Sequence, residues 1–310
     1  MKINIKRLLV VWSVIIILLV AFYPISLYLH VYDRLLLVLT LLNILSFGSV
    51  YLYRKAIESR IFSLIEVAEK FYNESEFEIL SKKPNKIELV LITSVLIFGF
   101  YIVAISFTNV NLYTFLIRED GIIENISAIL WGLAFIISSI HLTKKIRKKT
   151  HVWYYYIPDM ILIAFFFICL GEEISWGQRI FEIRTPELLK TVNVQNEITL
   201  HNIGSISVFS NIFFLLTILF YLVFPFLISK YYNLRIIAHF FDLPIPTINA
   251  SYIFIICLII WLMVGIRFGT LGFHPFSFYI ENYYTQMDDE IFELLAAYSF
   301  FSFSVIKTRR

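Results

Sequence analysis

The chain has 310 residues, 59% of them hydrophobic and 18% aromatic, and a mean hydropathy of +0.78. Soluble domains are about 45–50% apolar, so a soluble globular class is excluded. The net charge of +3 is small. The basic residues flank apolar runs, which argues against a nucleic-acid partner. The two cysteines, Cys169 and Cys257, both lie inside such runs, so no disulfide framework or cysteine-based metal site is implied.

A bilayer core takes about 20 apolar residues in helical form. Lys2, Lys6 and Arg7 precede a run from Leu8 to Tyr32 without a formally charged side chain. That run is too long for the apolar region of a signal peptide, so an uncleaved first span is expected at 8–29. A second follows at 35–53. Segment 54–87 is polar, but Ile57, Ile61, Leu64, Ile65, Ala68, Phe71 and Tyr72 recur at helical spacing. This predicts an amphipathic helix on the cytoplasmic leaflet, or a surface linker helix with no further role. Further spans are expected at 88–108, at 122–142 with Glu124 near its start, and at 154–173 with Asp159 near its start. A motif loop covers 174–203. The last spans are 204–229, 248–267 and 287–306, the eighth carrying Glu290 and Glu293 in its first turns. The expected architecture is all-α: a polytopic transmembrane helix bundle of about eight spans, one integral membrane domain over 1–310.

Lys and Arg set the orientation, because they are retained on the cytoplasmic side. With the N-terminus inside, 20 of the 26 Lys and Arg residues fall in cytoplasmic segments, including Lys144, Lys145, Arg147, Lys148 and Lys149. Both termini are then cytoplasmic. Of the 23 acids, 14 fall outside, and among them three tight groups stand out at the outer ends of the fourth, fifth and eighth spans. Two groups lie at helix N-termini, where the macrodipole favours acids and Asp120 would serve as an N-cap. Asp120 with Glu124, and Asp289 with Glu293, are also i,i+4 pairs that repel unless a cation or a proton intervenes. Caps and a functional site are both open readings for these groups.

The fifth span ends in Gly171-Glu172-Glu173-Ile174-Ser175-Trp176-Gly177-Gln178-Arg179. Its carboxylates sit at a helix C-terminus, against the dipole. If the helix continues, Glu172, Ser175 and Arg179 share one stripe and Glu173 points elsewhere, toward the bundle. The bland alternative is an ion pair of Glu172 with Arg179, bridged by Ser175. The following loop brings His201 and Asn202 to the same membrane face, with His274 as a lesser candidate.

The string GEEISWGQRIF, followed by TPELL, NVQNE and LHN, resembles a signature of bacterial multi-pass membrane proteins that carry no assigned function. It implies a plasma (inner) membrane location and transfers no activity. The paired glutamates, a following arginine and later histidines are also distantly similar to CAAX-protease-like intramembrane glutamic proteases. That resemblance implies that a glutamate activates water while His and Asn stabilise an oxyanion. Glu172 and Glu173 would match the pair, Arg179 the arginine, and His201 or His274 the histidines. The spacing departs from the family's, since five residues separate Glu173 from Arg179 where three are expected.

The expected function is hydrolysis or group transfer on a lipid, lipid-linked or membrane-peptide substrate. Glu172, Glu173, His201 and Glu124 are the candidate catalytic groups. Arg179, Ser175, Gln178, Asn202, Asp120 and Glu293 are candidate substrate-binding groups, Arg179 through bidentate contact with a phosphate or carboxylate. His201 with the acids could hold a divalent metal. A transporter, or an accessory protein whose outer polar groups are structural, is the alternative. Asp159 beside Pro158 is the nearest thing to a coupling site.

Overall fold

Asparagine side chains cap the starts of two helices of this chain, and a proline sits in the first turn of another. The computed structural model describes residues 51–53, 55–56, 59–60, 63–69, 83–118, 121–148, 153–181, 183–187, 198–199, 207–268 and 289–308, and these are helical throughout their regular parts, with no strand among them. The first span, nearly all of the second and the whole 70–82 stretch therefore lie outside the described residues.

Helix α1 (Lys86–Thr108) opens on a capping box: Asn85 accepts from the Glu88 N–H at 3.0 Å, and the Glu88 carboxylate accepts from the Asn85 N–H at 2.8 Å. Asn109 ends α1 and begins α2 (Val110–Ile117), its side chain accepting from the Leu112 N–H. Helix α3 (Ile122–Arg147) is capped by Gly121, not by Asp120, which lies outside the described residues. Its last turn carries Lys144, Lys145 and Arg147, cations that suit a helix C-terminus. A 3₁₀ turn (Trp153–Tyr156) leads into α4 (Ile157–Glu173), where Pro158 occupies the first turn and costs no hydrogen bond. Then come α5 (Gln178–Phe181) and α6 (Ser207–Ile218).

A π turn (Leu219–Val223) joins α6 to α7 (Phe224–Lys230). Pro225 has no N–H to give the carbonyl four residues back, that of Tyr221. Ser251 supplies the missing donor, its hydroxyl 2.6 Å from that oxygen, while the Phe224 N–H reaches back to Leu219. Helices α8 (Tyr232–Phe240), α9 (Ile248–Phe268) and α10 (Asp289–Lys307) complete the described chain.

Five segments are long and apolar enough to cross a membrane: Lys86–Thr108, Ile122–Arg147, Trp153–Glu173, Phe213–Lys230 and Ile248–Phe268. They correspond to the third to seventh expected spans. The chain is built as a membrane-embedded helical protein.

Its residues cluster into two compact units. The smaller takes in residues 1–72 and 230–240. In it Ile65 and Ala68 pack on Ile236 of α8, and the Tyr232 hydroxyl donates to Glu69 at 3.1 Å. Part of the amphipathic face expected to lie on lipid is thus covered by protein. The sequence reading missed α8 because nine residues are too few for a span.

The larger unit takes in residues 73–229 and 241–310. Here α3 packs against both α4 and α10, and α9 against α1 and α10. Glu88 and Asn249 meet at the starts of α1 and α9, so those helices run parallel. Ser127, near the start of α3, meets Glu173, at the end of α4, so that pair runs antiparallel. Ser138 and Ser304 join α3 to α10 in the parallel sense. This is the alternation that successive crossings require.

Helix α10 is missing from the five apolar segments because acids crowd its start, yet it is the most enclosed. Leu294, Leu295, Ala296, Ala297, Ser299, Phe300, Ser302, Phe303 and Ser304 are all buried. Its small residues permit close helix approach. At 19 residues it is about 28 Å long. Its two ends reach those of α4: Lys307 pairs with Asp159 at one, and Glu290 acts electrostatically on Glu173 at the other. Between those ends Trp131 meets Phe165, Phe166, Phe213 and Phe300 in edge-to-face and tilted contacts, ring centroids 5.4–6.3 Å apart.

Candidate functional site

One end of the α3, α4 and α10 bundle gathers acids. Glu124, Ser127 and Trp131 follow one another at spacings of three and four along α3, so they share a face. That face meets the last residue of α4. The Ser127 hydroxyl donates to the Glu173 carboxylate at 2.7 Å, and the Trp131 indole also donates to it. Glu124 of α3 and Glu290 of α10 lie close enough for their charges to act on Glu173. Glu172 and Glu293 act in the same way, with Glu173, on Cys169 one turn deeper. All five glutamates are half-buried. Three helix ends, far apart in sequence, thus bring their acids to one place.

The motif after Glu173 does not continue the helix. Ser175, Trp176 and Gly177 have φ of 47°, 53° and 80°, three left-handed residues in succession. Only the last is a glycine, and the left-handed region is unfavourable for bulky side chains. The turn folds the Trp176 indole back over the end of α4. A Cβ on Gly171 would lie 2.9 Å from that ring, so glycine is needed there for the indole to sit. The indole N–H donates to Glu172 at 2.7 Å. The stripe of Glu172, Ser175 and Arg179 expected from an unbroken helix is therefore absent: the backbone reverses hand before Arg179 is reached. Ser175 is 1% exposed and lies within the turn.

Gln178 was expected to touch substrate, but both ends of its amide are taken by the protein. Its Nε2 donates to the Thr185 hydroxyl at 2.8 Å, and its Oε1 accepts from the Ile198 N–H at 2.7 Å. It staples two parts of the motif loop to α5. Among the expected site residues, Asp120, His201 and Asn202, with His274, lie outside the described residues, as does the side chain of Arg179. The structure brings Glu124, Glu172, Glu173 and Glu293 together. Ser127, Trp131 and Trp176 were missed by the sequence reading, although the spacing Glu124–Ser127–Trp131 would have placed the first two on the face of Glu124. Among the described residues no group of three or more His, Cys, Asp and Glu is arranged to hold a metal ion.

The other end of the same three helices carries a second cluster. Asp159, 3% exposed, is paired with Lys145 at 2.8 Å and with Lys307. Lys145 also pairs with Asp242 and donates to the Tyr155 carbonyl at 3.1 Å. Asp159 is thus balanced by two lysines, which leaves it a poor candidate for a coupling site that must bind and release a cation.

No protein-family model matches the chain, and no curated protein or solved structure matches it.

Proposed function

We propose that the chain crosses the membrane eight times with both ends cytoplasmic, and that the acidic end of α3, α4 and α10 is an extracytoplasmic site of hydrolysis or group transfer. The substrate would be a lipid, a lipid-linked molecule or a membrane peptide. The observation that carries this reading is the placement of Glu173: its carboxylate turns into the bundle onto two neutral donors, Ser127 and Trp131, with Glu124 and Glu290 nearby. Stability alone does not favour gathering like charges away from water. Enzymes do gather them, because a fixed carboxylate in a partly dry site serves as general base or acid.

In this reading Glu173 takes the proton of the attacking water or hydroxyl, and Arg179 holds the phosphate or carboxylate of the substrate. His201 and Asn202 contribute from the loop, as the likeness to intramembrane glutamic proteases suggests. The left-handed turn at Ser175–Gly177 supports it, since such conformations concentrate at working sites. Glu172, held by Trp176, takes a lesser part.

The test is conversion of a native lipid extract by the protein in nanodiscs, followed by mass spectrometry. Glu173→Gln is expected to lower turnover by about 100-fold or more, the usual loss of a general base, while Glu172→Gln keeps most of it. Equal turnover in Glu173→Gln and wild type would end the proposal.

A second reading, that the outer groups only tie helix ends together in an assembly protein, is favoured by Gln178, whose amide serves the loop alone. It expects Glu173→Gln to alter stability and nothing else.

A further inference from the structure

The Lys145, Asp159, Lys307 and Asp242 cluster is a graded one. Exposure of the side chains rises from 4% at Asp159 through 12% at Lys145 and 18% at Lys307 to 53% at Asp242. Two lysines on one buried aspartate leave a surplus positive charge, and Asp242 is the acid that balances it. Yet Asp242 belongs to no helix of the bundle. It sits in the connection 241–247 that precedes α9, with a φ of 47°, a conformation that aspartate tolerates. Pro244 and Pro246 stiffen that connection, and the Leu243 carbonyl accepts from the Ile245 N–H at 2.8 Å.

We infer that Lys145 and Asp242 form a releasable latch, which pins connection 241–247 to the end of the α3, α4 and α10 bundle and can open while the Asp159 pairs stay closed. The asymmetry of burial carries the inference. An ion pair with one member half in water is screened by salt, whereas a pair withdrawn from water is screened much less. Asp159 keeps both lysines when Asp242 leaves, so the bundle end remains balanced to within one charge. Lys145 also stays in place, held by the Tyr155 carbonyl and by the ring of Tyr156, 5.8 Å away. An edge-to-face contact of Phe241 on Tyr154, with centroids 6.4 Å apart, is there to guide reclosure.

The experiment is hydrogen–deuterium exchange on the full chain in nanodiscs, read separately for peptides covering 241–247 and for α3, α4 and α10. In Asp242→Asn the connection is expected to exchange at least tenfold faster with the three helices unchanged. Raising KCl from about 50 mM to 500 mM is expected to speed the connection in the wild type and to leave Asp242→Asn unaffected. Asp159→Asn, by contrast, loosens connection and helices together. The latch is overturned if Asp242→Asn exchanges like the wild type, if its helices loosen in step with the connection, or if its salt response equals the wild type's.

Discussion

The two ends of the α3, α4 and α10 bundle solve opposite problems with the same three helices. At one end a buried acid is matched by two lysines, and a second acid matches the remainder. At the other, Glu173 rests on two neutral donors among further acids. A buried charge is tolerable when its counter-charges are near and costly when one of them is removed. The paired end is therefore the one that suffers most from loss of a single partner, whereas the acidic end has no such matched charges to break.

Five substitutions probe that contrast, all read as unfolding free energy in lipid. Asp159→Asn strands Lys307, leaves Lys145 with Asp242 alone and is expected to cost about 3–5 kcal/mol; Glu173→Gln, which keeps an acceptor for Ser127, is expected to change stability by less than about 1 kcal/mol. Equal losses would erase the distinction between the ends. Gly171→Ala pushes against the Trp176 indole and should cost about 1–3 kcal/mol, with a shift in Trp176 emission judged against a Trp176→Phe control. No shift would mean that the indole does not rest on Gly171. Ser127→Ala removes one donor from Glu173, for about 1 kcal/mol; a cost near that of Asp159→Asn would make the acidic end as structural as the paired one. Glu172→Gln leaves an oxygen for the Trp176 N–H and should fall within about 0.5 kcal/mol of the wild type. A larger loss would show that its charge matters to the fold.

Hydropathy made the third to seventh crossings legible, because a long uncharged run leaves few alternatives. The relative helix directions in the larger unit are read from the contacts that join their ends. Helix α10 was legible in length but not in its central position, which depends on small residues such as Ala297 and Ser304 fitting against α3. The convergence of Glu124, Glu173 and Glu290 involves acids that the sequence places near the ends of three apolar runs. The donors were hidden: Ser127 is 46 residues from Glu173, and Lys307 is 148 from Asp159. Nothing local marks such pairs. The broken helix after Glu173 had a local signal in Gly177, but an apolar scan is blind to backbone hand. Gln178 misled because a polar side chain in a motif looks the same whether it binds a substrate or its own loop.

Pro225 has a lasting effect on everything that follows it. The π turn inserts one residue beyond the α-helical count, so the chain after Val223 is turned by about 100° relative to an uninterrupted α-helix. The azimuth of Phe226 and Ile228 is thereby reset, and with it which of them meets lipid. Deleting a single residue between Leu219 and Val223, with alanine in place of Pro225, would return the helix to uniform winding. It would also rotate α7 away from its present neighbours and leave the Ser251 hydroxyl without its oxygen.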